Sequence, residues 1–161
     1  MTTEYYYGTV NNDSYSHWNS NDLVAYGFDS NDDIFGNDGN DYIDGGVGND
    51  YLYGGFGDDY LVGYDGDDYL VGSYGNDYLI GGYGADRFFF YSPYEGVDTI
   101  ADFYWQEGDK IEVSQYGFGA SSNNDFFYDT YNGDLFFQGN LFANLENIPT
   151  DFSIESDIVL V

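Results

Sequence analysis

From Gly27 to Phe89 the apolar and polar positions follow a nine-residue period. Seven units align without a gap: "GFDSNDDIF", "GNDGNDYID", "GGVGNDYLY", "GGFGDDYLV", "GYDGDDYLV", "GSYGNDYLI" and "GGYGADRFF". Position eight is apolar in each, as Ile34, Ile43, Leu52, Leu61, Leu70, Leu79 and Phe88. The residues at positions seven and nine point the opposite way, so each unit predicts a minimal three-residue strand with its middle side chain facing inward. The remaining positions are rich in Gly, Asn and Asp and predict a loop. One such unit cannot bury its apolar face alone, and a fixed period of this kind predicts stacked coils, an all-β solenoid.

The loop positions are as regular as the strand. Position one is Gly in all seven units, and position four is Gly in six, the exception being Ser30. Position six is always an acid: Asp32, Asp41, Asp50, Asp59, Asp68, Asp77 and Asp86. Two degenerate copies precede these. "GTVNNDSYS" puts Asp13 in phase, and "HWNSNDLVA" puts Asp22 in phase if Tyr26 is one inserted residue. Three segments follow: a leader, 1–7; nine units, 8–89; and a C-terminal region, 90–161.

Charge sharpens the picture. Thirty acids stand against Arg87 and Lys110, a net charge of −28 over 161 residues. Such self-repulsion opposes a compact state, yet Phe, Trp and Tyr make up 22% of the chain, which is unlike a disordered segment. A bound cation reconciles the two. With no basic patch to displace counterions, nucleic acid is excluded as a direct partner. The absence of cysteine excludes a disulfide framework and a thiolate metal site. No apolar run approaches the roughly 18 residues of a membrane span, so direct membrane insertion is not expected. The segment "MTTEYYYGTVNND" lacks the basic and apolar regions of a cleavable signal.

Glycine at one and four, Asp at six and an aliphatic at eight resemble the glycine- and aspartate-rich nonapeptide of the RTX (repeats-in-toxin) proteins, G-G-x-G-x-D-x-U-x, a calcium-binding repeat. The resemblance implies a calcium-bound parallel β-roll with a β-rich C-terminal cap, in which each ion sits between loops two units apart. Calcium takes six to eight oxygens from carboxylates and carbonyls. Carried over, the ligands are Asp32, Asp41, Asp50, Asp59, Asp68, Asp77 and Asp86. Main-chain carbonyls near Gly36, Gly39, Gly45, Gly48, Gly54, Gly57, Gly63, Gly66, Gly72, Gly75, Gly81 and Gly84 join them. Asp13 and Asp22 are further candidates, in loops where Asn or Ser replaces glycine. Up to about seven ions fit between the loops, and they would halve the net charge.

After the repeats, "GVDTIADFYWQEGDKIEVS" resembles the closing segment of the same family, which covers the open end of the roll, and Asp102 and Asp109 are candidate ligands there. "DFFYDTYNGDLFFQG" predicts two strands joined by Asn132-Gly133. Asp157, Ile158, Val159, Leu160 and Val161 resemble the uncleaved type I secretion signal of RTX proteases. The resemblance therefore implies an extracellular protein, free or held at the cell surface. It would pass unfolded through the type I secretion apparatus and fold on meeting millimolar calcium outside.

Nothing in the chain predicts an enzyme. His17 is the sole histidine and sits in a degenerate unit, and no metalloprotease, phosphate-loop or dinucleotide motif is present. Only seven residues precede the first unit, so no catalytic domain is expected ahead of the repeats within this chain. Position seven carries two outward rows, Tyr42, Tyr60 and Tyr78 on one side and Tyr51 and Tyr69 on the other. These rows are candidates for strand-stabilising ladders or for a docking face, through self-association or a surface glycan.

Overall fold

The computed structural model describes residues 2–161; Met1, part of the segment 1–7, lies outside the described residues. The first ten strands are β1 (Glu4–Tyr7), β2 (Ser14–Ser16), β3 (Leu23–Asp29), β4 (Asp33–Asp38), β5 (Tyr42–Val47), β6 (Tyr51–Phe56), β7 (Tyr60–Asp65), β8 (Tyr69–Tyr74), β9 (Tyr78–Tyr83) and β10 (Arg87–Phe90). Odd-numbered strands lie side by side in one parallel sheet and even-numbered strands in a second. One coil therefore takes two units, and like positions stack: Tyr42 pairs with Tyr60 and Tyr60 with Tyr78.

Position eight fills the space between the sheets. Ile34, Ile43, Leu52, Leu61, Leu70, Leu79 and Phe88 are fully buried. The strands are longer than the expected triplet, running six residues from position seven through position three of the next unit. They continue because ladder pairing persists past the glycines, as in Asn37 with Gly55 and Gly55 with Ser73. Each strand bends at position two, where even Phe28 (φ 81°) and Tyr64 (φ 90°) take left-handed backbone.

Two features at the start of the chain differ from the reading by sequence. Glu4–Tyr7, within the expected leader, is a strand in register with Leu23–Tyr26. It brings Tyr6 against Tyr15 at 4.0 Å, and these stacked rings end the core, where most later units place Ile or Leu. The second degenerate unit is also phased differently. Val24 pairs with Tyr42 and Ala25 with Ile43, so Ala25 faces inward and Leu23, not Asp22, takes position six. The extra residue lies in the loop 18–20, and Tyr26 is an ordinary position-nine residue opposite Asp44. A one-residue slip moves every side chain to the other face, and burying Leu23 and Ala25 decides the register against Val24.

The cap extends both sheets. It comprises β11 (Asp98–Ile100), β12 (Lys110–Val113), the one-turn helix α1 (Gln115–Phe118), β13 (Phe126–Tyr128), β14 (Asp134–Phe137), β15 (Asn140–Leu145), the one-turn helix α2 (Ile154–Asp157) and β16 (Ile158–Leu160). β11 and β12 add parallel strands beside β9 and β10. β13 and β14 form the antiparallel hairpin expected around Asn132-Gly133, and β15 joins it to β11. Phe118, Phe126, Phe137 and Phe142 pack against one another, and Phe142 reaches Phe90 at the end of β10 at 5.2 Å. The two cations, adjacent in register, latch this end: Arg87 pairs with Glu112, and Lys110 with buried Asp157 at 3.1 Å.

Leu61 is fully buried and Tyr60 faces outward. Leu61→Ala is therefore expected to cost about 2–5 kcal/mol in urea denaturation with calcium present. Tyr60→Ala should cost about 1 kcal/mol, the scale of a cross-strand pair.

Candidate metal centre

The position-six carboxylates are the most deeply buried acids of the repeats. Asp32, Asp41, Asp50, Asp59, Asp68, Asp77 and Asp86 are each at most 3% exposed. One oxygen of each is held by the main chain of the preceding coil. Through one side, the amides of Asp13, Asp32, Asp50 and Asp68 donate to Oδ1 of Asp32, Asp50, Asp68 and Asp86 at 2.7–2.9 Å. Through the other, the amides of Leu23, Asp41 and Asp59 donate to Oδ1 of Asp41, Asp59 and Asp77 at 2.8 Å. The other oxygen, Oδ2, is buried without a hydrogen-bond partner in all seven.

Two glycine positions shape the space around that oxygen. At position one the requirement is room. A Cβ on Gly54 would collide with Oδ2 of Asp59 and lie 2.9 Å from the carbonyl oxygen of Gly72 in the next coil. A Cβ on Gly27 would likewise strike both Oδ2 of Asp32 and the carbonyl oxygen of Gly45. The free carboxylate oxygens of Asp32, Asp41, Asp59 and Asp68 thus lie near a carbonyl of the following coil, across the gap between the two. At position four the requirement is conformation as well. Gly48, Gly57 and Gly66 have φ of 132–152°, and a Cβ on any of them would strike the position-four carbonyl of the coil before. His17 obeys the same rule in reverse. It takes position one only in the unit whose position six is Leu23, where no carboxylate competes for the space. It is buried, with Nε2 3.1 Å from the carbonyl of Asn21 and Nδ1 3.3 Å from the Tyr15 hydroxyl.

Electrostatics follow from burial. Desolvation, reinforced by neighbouring carboxylates, pushes Asp59 and Asp68 up to about 8 from an ordinary 3.8. Asp86 rises to about 7, and Asp50 and Asp77 to about 6. Asp41 also rises to about 6, through desolvation. An array of buried anions, each with one unpartnered oxygen and four of them with that oxygen near a main-chain carbonyl of the next coil, fits a hard divalent cation that takes oxygen ligands. Among the described residues no three His, Cys, Asp or Glu side chains converge as a side-chain metal cluster, so carbonyls must supply much of any shell.

The remaining candidates differ from these seven. Asp13 lies in phase, and its Oδ2 accepts from the amide of Thr9. Asp22, at position five, accepts from the amide of Asn40 and begins an exposed ladder that continues through Asn40, Asp58 and Asn76. Asp102 accepts from the amides of Gly81 and Gly82, one on each oxygen, and so ties the cap to the last coil. Asp109 accepts from Asp86 and Tyr104. Sequence reasoning missed Asp98, which is 4% exposed and accepts from the amide of Asp77 at 3.1 Å. The triplet Asp98-Thr99-Ile100, an acid two residues before an aliphatic as in the units from Asp32 to Leu79, is the signal that marks it.

The tyrosine rows form ladders. Tyr42–Tyr60, Tyr60–Tyr78 and Tyr51–Tyr69 are nearly parallel with centroids 5.1–5.4 Å apart. Beside the second row, Tyr51, Tyr53, Tyr69, Val71, Tyr74 and Phe89 line a groove of about 500 Å³. Asp157 and Ile158 are buried, and β16 pairs with β12, so the segment 157–161 is part of the folded cap.

The position-one geometry is open to test. Gly54→Ala is expected to destabilise the calcium-loaded chain by about 1–3 kcal/mol or more, read by urea denaturation, because the Asp59 carboxylate cannot retreat from it.

Comparison with known proteins agrees with this geometry. The family model for the RTX calcium-binding nonapeptide repeat (4 copies), a calcium-binding repeat and not a catalytic family, matches residues 26–61 and 62–91. No curated protein matches the chain. Among solved structures, the solution structure of the AlgE6R3 subunit from the Azotobacter vinelandii mannuronan C5-epimerase is similar at 24% identity with a TM-score of 0.43, covering 94% of this chain and 80% of that one. By the family model, residues 26–91 are RTX calcium-binding nonapeptide repeats, and they are wound as a parallel β-roll.

Proposed function

We propose that this chain is a secreted calcium-binding module that folds when it meets extracellular calcium after type I export. The observation that carries the reading is the unpartnered, buried Oδ2 repeated on seven aspartates. Asp32, Asp41, Asp50, Asp59, Asp68, Asp77 and Asp86 would hold the ions together with carbonyls of the position-one and position-four residues. Bound calcium would supply the positive charge that lets these carboxylates stay ionised inside the roll. Asp102 and Asp109, with both oxygens on main-chain amides, would act as struts of the cap and not as ligands. Without the cation, burying seven charges costs more than the thin core returns, so ion binding contributes folding energy directly.

Export fits the same logic. Residues 157–161 are built into β16 and its approach, so a transporter could read them only before the cap forms. Low cytosolic calcium would keep the chain unfolded and threadable, and the sites would fill outside. A second reading, calcium-dependent adhesion or glycan binding, draws on the aromatic groove beside Tyr51 and Tyr69. The mutual stacking of the tyrosines leaves only part of each ring face for a sugar. A glycan array run in calcium, compared with Tyr51→Ala/Tyr69→Ala, decides it, and binding that the double variant abolishes would favour that reading.

Two outcomes test the primary reading. Far-UV circular dichroism in excess chelator at neutral pH should show a largely unfolded chain, with β-structure appearing on titration with calcium. A β-rich spectrum that ignores chelator would refute it. Proton linkage gives the second. The folded-state values of these aspartates are raised from 3.8 to about 6–8. The metal-free fold therefore binds extra protons, is most stable below about pH 4, and loses that stability as pH rises through 6–8. Metal-free chain should accordingly gain structure on acidification, while apparent calcium affinity falls, measured by dichroism and calorimetry between pH 5 and 8.

A further inference from the structure

The loop ahead of β11 repeats the nonapeptide geometry without its sequence. Asp77 donates its amide to Asp98 as Asp59 does to Asp77, but across 21 residues instead of 18. The neighbouring contacts match position by position. Gly75 donates to the carbonyl of Glu95 at 2.9 Å, as Gly66 does to Tyr83. Gly96 has φ 146°, and a Cβ there would strike the carbonyl of Gly75, as one on Gly84 would strike that of Gly66. Val97 donates to Asn76 at 3.2 Å, continuing the position-five ladder. Thr99 and Ile100 then pair with Tyr78 and Leu79. Residues 95–100 are thus positions three to eight of a further unit. The three extra residues fall just before it, where the Glu95 carboxylate gathers the amides of Tyr91 and Ser92.

We infer that the loop Glu95–Asp98 closes a further calcium site against the loop Gly72–Asp77, with side-chain oxygens from Asp77 and Asp98. This rests on the calcium reading above. Asp77 is 1% exposed and its Oδ2 has no partner. At Asp32, Asp41, Asp59 and Asp68 that oxygen lies near a carbonyl of the following coil, and the coil that follows Asp77 is the one carrying Asp98. The site's Asp98 half lies outside the stretch matched by the repeat family, which contains Asp77 but ends at residue 91. It makes the cap part of the metal array, so that a cation joins the last coil of the roll to the first strand of the cap. The neighbouring gap differs, because Asp109 already has an amide on each oxygen.

Counting bound calcium by native mass spectrometry tests this. Asp98→Asn keeps an oxygen to accept the Asp77 amide but removes the charge, and it should bind one ion fewer than the wild type. Asp102→Asn should bind the same number as the wild type. An unchanged count in Asp98→Asn overturns the inference while leaving the calcium reading intact, whereas a wild type that holds no calcium overturns both. If Asp98→Asn fails to gain β-structure in calcium, wild-type crystals grown with terbium decide instead. An anomalous peak between Asp77 and Asp98 is expected, and peaks in the other gaps with none there would overturn the inference.

Discussion

The structure depends on how a buried carboxylate is shared between two coils. Each position-six aspartate gives Oδ1 to a main-chain amide of the coil before and leaves Oδ2 sealed and unpartnered. The first contact sets the register of stacking. The second is untenable for an anion unless a cation or a proton occupies the gap. The glycines, the short inward aliphatics and the near absence of lysine and arginine all follow from that constraint. Position one must be glycine because the carboxylate fills the space a side chain would take, and His17 is admitted only where Leu23 has replaced the acid.

Burial and charge therefore work against each other along the roll and are reconciled at its end. The core is one aliphatic per unit, and it is walled by ladders of aromatic rings on the outer faces. At the far end the design changes. A cluster of phenylalanines, an antiparallel hairpin and the two available cations hold the cap, and Asp102 and Asp109 serve main-chain amides in place of the next coil.

Most of the roll was legible because its period repeats seven times in phase. A single Asp-x-aliphatic triplet means little, but the same triplet recurring at one spacing fixes both the inward face and the carboxylate rows. The parts that were not legible are those where one residue decides. "NDLVAY" offers two registers one residue apart, and only the burial of Leu23 and Ala25 chooses between them. Asp98 was obscured by three additional residues and by a loop retaining one glycine of the motif. The segment 1–7 carries no loop of its own, so its strand shows only when it pairs with β3. Asp102 and Asp109 look like ligands in sequence, and only their hydrogen bonds reveal that each oxygen is already engaged.

Hydrogen exchange at the position-six amides tests the central claim most directly. The amides of Asp32, Asp41, Asp50, Asp59 and Asp68 donate to the carboxylates that would hold the ions. With calcium present they should be protected together, and in excess chelator at neutral pH they should all exchange at the rate of an unfolded chain. Equal protection in both conditions would show that the roll stands without the cation, and would contradict the account.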